Sequence, residues 1–274
     1  MRRKNRRKKL LVDLIILAVI LLILYSYGLS IPTEALAGDC LNAGKPPSLE
    51  HPFGTDSLGR DLLVRTIKGM SVSMTVGAVA SVVSAVIAVF IGMGATRGWK
   101  SLDRMISWLI DLVMSVPHTI LIILISFVMG RGLKGLLIGI CATHWCALAR
   151  LIRGKVLQLR TKQYVAVSRR LGKSGGWILV HHLLPHLMPQ FMVGLILLFP
   201  HAILHEASIS FLGFGLSPEK PAIGIILSES MRYLSVGMWW PAVLPGLTLV
   251  FVVLLVDKVG ENLRLLMDPC TAQE

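Results

Sequence analysis

RLIRGKVLQLRTKQYVAVSRRLGKSGGWILVHHLLP, residues 150–185, is the stretch on which the reading of this chain turns. It is basic, partly helical in pattern, and held between two long apolar runs. Eight Lys/Arg fall in its first two thirds: Arg150, Arg153, Lys155, Arg160, Lys162, Arg169, Arg170 and Lys173. A connection that dense in positive charge stays on the cytoplasmic side of a membrane. A polar loop of this length between spans can offer a docking surface to something soluble.

The composition bounds the rest. Of 274 residues 54% are hydrophobic and only 16% charged, with a mean hydropathy of +0.71. That is too apolar for a soluble domain and fits a helical membrane protein with several spans. The net charge of +13 raises nucleic acid as a partner. The basic residues instead cluster at the ends of apolar runs, with no aromatic binding motif among them, so no nucleic acid is expected. Cys40, Cys141, Cys146 and Cys270 form no paired framework, and no disulfide is implied.

Outward from the loop, the apolar runs place six spans at about 10–28, 71–95, 105–129, 136–151, 187–212 and 239–256. The first follows seven Lys/Arg in residues 2–9. A signal peptide is the competing reading there, with Ala35-Leu36-Ala37 as a small-residue cleavage pattern. The run is longer than a signal core and ends well before Ala37, which favours a retained anchor. Small residues recur along the second run (Ser73, Gly77, Ala80, Ser81, Ser84, Ala88, Gly92), as in helices that pack closely in lipid.

With both termini cytoplasmic, 20 Lys/Arg lie inside and 8 outside, and the inverted topology is disfavoured. The expected fold is therefore an all-α integral membrane protein of six transmembrane helices. It divides into a basic N-terminus and first span (1–28), an external loop (29–69), a five-helix core (70–260) carrying the basic loop at 150–186, and an internal tail (261–274). In the external loop, Phe53-Gly-Thr-Asp-Ser-Leu-Gly-Arg-Asp61 reads as a glycine turn, an N-cap at Asp56 or Ser57, and a short helix into the second span.

Gly172-Lys173-Ser174 has the end of a phosphate-binding loop. The full pattern needs a glycine where Val167 stands and a strand before it, so the match reads as chance. No ATPase and no cofactor of the chain's own is expected. Intramembrane histidines carry the chemistry. His201 and His205 are one helical turn apart, so two imidazoles on one face can share a divalent cation. His144 lies well inside the fourth span. His118 lies near mid-depth on the third span, and Asp111, seven residues earlier, shares its face. Such groups are costly in hydrocarbon and tend to face a bundle interior or a wet path. Imidazole suits nickel, copper and zinc. The competing reading for each is a hydrogen bond to a neighbouring helix. Pro200 frees a carbonyl beside the pair. Glu206 and the two membrane cysteines read as packing residues, and His181, His182 and His186 as part of the loop surface.

These motifs carry a resemblance. The segment Tyr164 to Pro185 resembles the coupling loop of bacterial ABC-importer permeases, in which Glu-Ala-Ala is followed by three residues, Gly, nine residues and Ile-x-Leu-Pro. Gly172 and Leu184-Pro185 keep that spacing; Ala166-Val167-Ser168 replaces Glu-Ala-Ala, and His182 stands at the Ile position. Gly54–Asp61, Met114-Ser-Val-Pro117, Ala149-Arg150-Leu-Ile-Arg153 and Ser210-Phe-Leu-Gly-Phe-Gly215 also match. The chain is similar to the second permease of nickel, dipeptide and oligopeptide importers. His201-Ala-Ile-Leu-His205-Glu-Ala and His144-Trp145 resemble the nickel members more than the peptide members.

The resemblance implies inward transport of nickel or a nickel chelate by alternating access, past His144, His201 and His205, with His118 and Asp111 along the path. The alternative is a di- or oligopeptide cargo in the same architecture. It implies coupling through Ala166, Ser168, Arg169, Gly172, Leu184 and Pro185. It also implies a second permease subunit as heterodimer partner, two ABC ATPase subunits that use the ATP, and an extracytoplasmic solute-binding protein.

Overall fold

The computed structural model describes residues 6–94 and 100–267, without the side chains of Arg6 and Lys100. Residues 1–5, 95–99 and 268–274, with Cys270 among them, lie outside the described residues. Among the described residues ten α-helices make up the fold: α1 Arg6–Ser30, α2 Leu62–Gly94, α3 Lys100–Ser115, α4 His118–Val128, α5 Leu133–Arg160, α6 Gln163–Arg170, α7 Gly175–Ile178, α8 Leu184–Phe211, α9 Ile223–Leu234 and α10 Trp240–Met267. A π-helical turn, Leu179–Leu183, joins α7 to α8. Among the described residues no strand forms; Thr55 and Asp61 make an isolated antiparallel bridge.

Among the described residues five helices are long and apolar enough to cross a membrane, or six if the bent pair α3 and α4 is one span. This pair corrects the sequence reading of 105–129 as one straight helix. The axes of α3 and α4 turn by 95°. Pro117 lacks an amide hydrogen and disfavours helical backbone at Val116, so the chain breaks between Ser115 and His118. The fourth span is also longer than expected, and Leu151–Arg160, read as loop, continues α5. Between α8 and α10, outside the expected spans, α9 is an additional helix of twelve residues.

The long helix α2 is the centre of the packing. Its residues enter all three buried clusters: with α5 and α8 (Ala85, Ala88, Ala149, Ile152, Leu187), with α8, α9 and α10 (Met70, Met74, Ile203, Ile226, Val252), and with α4, α5 and α8 (Val76, Ala80, Ile122, Ile140, Ile209). Small residues allow the close approach. A Cβ on Gly77 would fall 2.6 Å from Ile203 Cγ1, and one on Gly139 2.9 Å from Ile122 Cγ2. Lipid supplies no hydrophobic drive between helices, so such fit carries much of the association.

The junction ahead of α2 differs from the expected cap. Asp61, not Asp56 or Ser57, caps α2: its Oδ1 accepts from the Val64 amide at 3.0 Å. Asp56 is instead buried and accepts from the amides of Leu58 and Arg60, both at 2.9 Å. It also binds Arg60 Nε at 2.6 Å and Arg65 Nη1 at 2.7 Å, while Arg65 Nη2 reaches Glu229 on α9 at 2.9 Å. Arg65 is 5% exposed. Removing one member of a buried ionic set strands the others, at a cost of about 3–5 kcal/mol. Arg65→Met should therefore lower the thermal midpoint of the solubilised protein by several degrees. Arg65→Lys should fall between, because one ammonium cannot serve both carboxylates with the planar fork.

Candidate functional site: three imidazoles at the broken span

His118 is the first residue of α4, immediately after the break at Pro117. His144 is buried on α5, and His205 is half-buried on α8. One donor atom from each lies within 4.8 Å of the others. The ring centroids are 4.6 Å apart for His118 and His144, 4.9 Å for His118 and His205, and 5.1 Å for His144 and His205. Nitrogen donors about 2 Å from one ion stand about 3 Å apart from each other. The three rings therefore need only a modest closure to share an ion. No carboxylate or thiolate belongs to the group.

Hydrogen bonds set the ring orientations. His144 Nδ1 lies 3.1 Å from the Ile140 carbonyl oxygen, which can only accept, so that nitrogen carries the proton. His144 Nε2 then holds a free lone pair. It is buried and has no partner among the described residues. A histidine whose one nitrogen is fixed by a backbone carbonyl and whose other is free has the arrangement of a metal ligand. His118 Nε2 lies 3.1 Å from His144 Nδ1, and Thr143 Oγ1 is 3.3 Å from each of these two nitrogens. The Thr143 hydroxyl also donates to the Gly139 carbonyl oxygen at 3.0 Å.

The expected residues fare unevenly. His118, His144 and His205 come together. His201 lies exposed on α8, outside the three-ring group, in which His205 joins rings from two other helices. Asp111 is also outside it. The bend removes the face it would share with His118, and Asp111 is 69% exposed in a 2.6 Å ion pair with Arg150. Pro200 lies inside an unbroken α8. Glu206 is fully buried, its Oε1 accepting from Ser210 Oγ at 2.9 Å and its Oε2 unpartnered. Cys141 and Cys146 belong to the helix packing.

On the loop side, Ala166, Ser168 and Arg169 lie on the eight-residue helix α6, with Val165 buried beneath it. Gly172 follows at φ +77°, a left-handed conformation that suits glycine. Ser168 Oγ meets His182 Nε2 at 2.9 Å, which ties α6 to the π-helical turn ahead of Leu184 and Pro185. His186 stacks on Tyr164 and His181 on Trp177. The loop is thus a packed platform with an exposed α6 face, and Gly172-Lys173-Ser174 simply joins α6 to α7.

Residues 84–264 match the family described as "Binding-protein-dependent transport system inner membrane component". The chain is 33% identical over 273 residues to the oligopeptide transport system permease protein OppC of Bacillus subtilis, covering 98% of this chain and 88% of that one. It is 31% identical over 265 residues to the dipeptide transport system permease protein DppC of Alkalihalophilus pseudofirmus, covering 97% and 87%. A chain of the MetNI methionine ABC transporter, in an inward-facing conformation, is similar in fold, with a TM-score of 0.62 at 18% identity over 76% of this chain and 98% of that one. A multi-pass helical protein with this match along two thirds of its length belongs to the binding-protein-dependent transport system inner membrane components, as a permease of an ABC importer.

Proposed function

We propose that this permease carries a divalent transition-metal ion inward, nickel in the first place, bare or chelated. The observation behind this reading is the group His118, His144 and His205, three nitrogen donors with no carboxylate among them. Such a set favours nickel, copper or zinc over magnesium, calcium or manganese, which prefer oxygen. Three donors also leave coordination positions open to the groups of a chelate or to water. Energy comes from ATP hydrolysed by two separate ABC ATPase subunits that press on α6, with Ala166, Ser168, Arg169 and Gly172 at the contact and Leu184-Pro185 passing the movement into α8. A second permease completes the path, and an extracytoplasmic binding protein delivers the cargo.

A peptide cargo is the second reading, and the names of the relatives favour it: both permeases above are named for peptides. In that case the imidazoles would line the path and hydrogen-bond the peptide. The two readings part in one measurement on cells expressing the whole transporter. The metal reading expects energy-dependent uptake of radiolabelled nickel that excess dipeptide does not reduce. Uptake of labelled dipeptide without nickel uptake would overturn it.

A further inference from the structure

The arm that precedes the imidazole group is tied to the helix that carries His144. Asp103 on α3 receives both Arg153 Nε and Nη2 from α5, at 2.7 and 2.8 Å. Two turns along the same face of α3, Asp111 meets Arg150 at 2.6 Å. Both arginines follow His144 on α5, six and nine residues further. Beyond Asp111, α3 ends at Ser115, the chain turns by 95°, and the next helix opens with His118. A cavity of about 400 Å³ lined by Met114, Ser115, Val116, Pro117 and His118 lies at this elbow. The imidazole therefore sits at a bend with open space beside it, and the arm that leads into the bend is held to α5.

We infer that α3 is a positioning arm: the Asp103–Arg153 and Asp111–Arg150 pairs hold the elbow at the angle that brings His118 to His144. Asp103 and Asp111 are positioning residues and touch no cargo. The Asp103 pair is the stronger tie, because its two bonds are parallel and fix orientation as well as distance, and its side chains are 23% and 31% exposed. The Asp111 pair is 49% and 69% exposed and adds less. A rigid α3 transmits the tie to Pro117, so releasing it relaxes the bend and separates His118 from His144. The consequence for nickel rests on the proposed function; the consequence for the bend does not.

The test uses the full transporter, with the four cysteines of this chain replaced and spin labels at Cys residues substituted for Trp108 on α3 and Leu124 on α4, both exposed. Asp103→Asn is expected to shift or broaden the distance between the labels, and Asp103→Arg with Arg153→Asp to restore it. In the unlabelled transporter, the single substitution should raise the half-saturating nickel concentration about tenfold. The amount of transporter in the membrane and the maximal rate should stay within about twofold, and the exchange should recover the low value. An unchanged label distance in Asp103→Asn, or an exchanged pair as impaired as the single variant, overturns the arm. A distance that shifts and is restored, with no nickel uptake in any variant, supports the arm and overturns the metal reading instead.

Discussion

His144→Ala is expected to reduce nickel uptake by at least about 100-fold while the permease remains in the membrane at normal level. Altering groups that only orient a metal ligand costs about 10–100-fold in affinity, and His144 offers the ligand atom itself. Its Nε2 is buried, has no partner among the described residues and is freed for coordination by the Ile140 contact at Nδ1. Truncation also leaves a cavity, so His144→Gln serves as the volume-matched companion and should lose uptake as fully. His201→Ala supplies the contrast. That ring is exposed and outside the three-ring group, so its loss should be much the smaller. Radiolabelled nickel uptake, normalised to membrane-inserted protein, measures all three. Equal losses for His201 and His144 would return the pairing along α8 that the sequence spacing favours. Unchanged uptake in His144→Ala would remove the metal reading.

Gly224→Val is expected to damage the packing of α9 on α8 severely. A Cβ at Gly224 would overlap the Ala207 carbonyl oxygen of α8, with the Ala207 Cα only 2.9 Å away. Backbone cannot swing aside as a flexible side chain can, so α9 must lift from α8. Overpacking costs about 1–3 kcal/mol where side chains can yield, and more is expected here. The displacement begins beside His205 and Glu206 and would also pull on Glu229, the α9 end of the Arg65 network. Thermal unfolding of the solubilised protein should show a large fall in midpoint, together with reduced amounts in the membrane. Gly246→Ala is the control, since the nearest atom to its added Cβ, on Leu227, is 3.7 Å away. A normal midpoint for Gly224→Val would show that the contact with α8 is softer than its geometry implies.

Much of the fold was legible in the chain because lipid imposes a simple requirement. A spanning helix needs an unbroken apolar run, and α2, α5, α8 and α10 each contain one. The same averaging over a window is blind to direction. It read 105–129 as one span although Pro117 was visible, because hydropathy does not register a bend. It also passed over α9, whose twelve residues are too few for a span. The helical spacing of Ile223, Ile226, Leu227 and Ser230 could have revealed it. Asp61, directly before Leu62, likewise carried the cap signal that was placed at Asp56 or Ser57.

At the site, the residue types were legible and their grouping was not. Sequence spacing compares positions on one helix, so it paired His201 with His205 and Asp111 with His118. The observed group joins residues 118, 144 and 205, and it forms because small residues draw their helices together. Gly139 faces Ile122 across α4 and α5, and Gly194 faces Leu148 across α5 and α8.

By itself the sequence determined that this chain lives in a membrane, where its long helices run and which connection is densest in positive charge. Those properties depend on local composition and on the absence of water from lipid. Which histidines meet, and which carboxylates turn away to bind arginine, was decided only in three dimensions. One proline redirects a helix by 95°, and contacts between helices distant in sequence then choose which rings face one another.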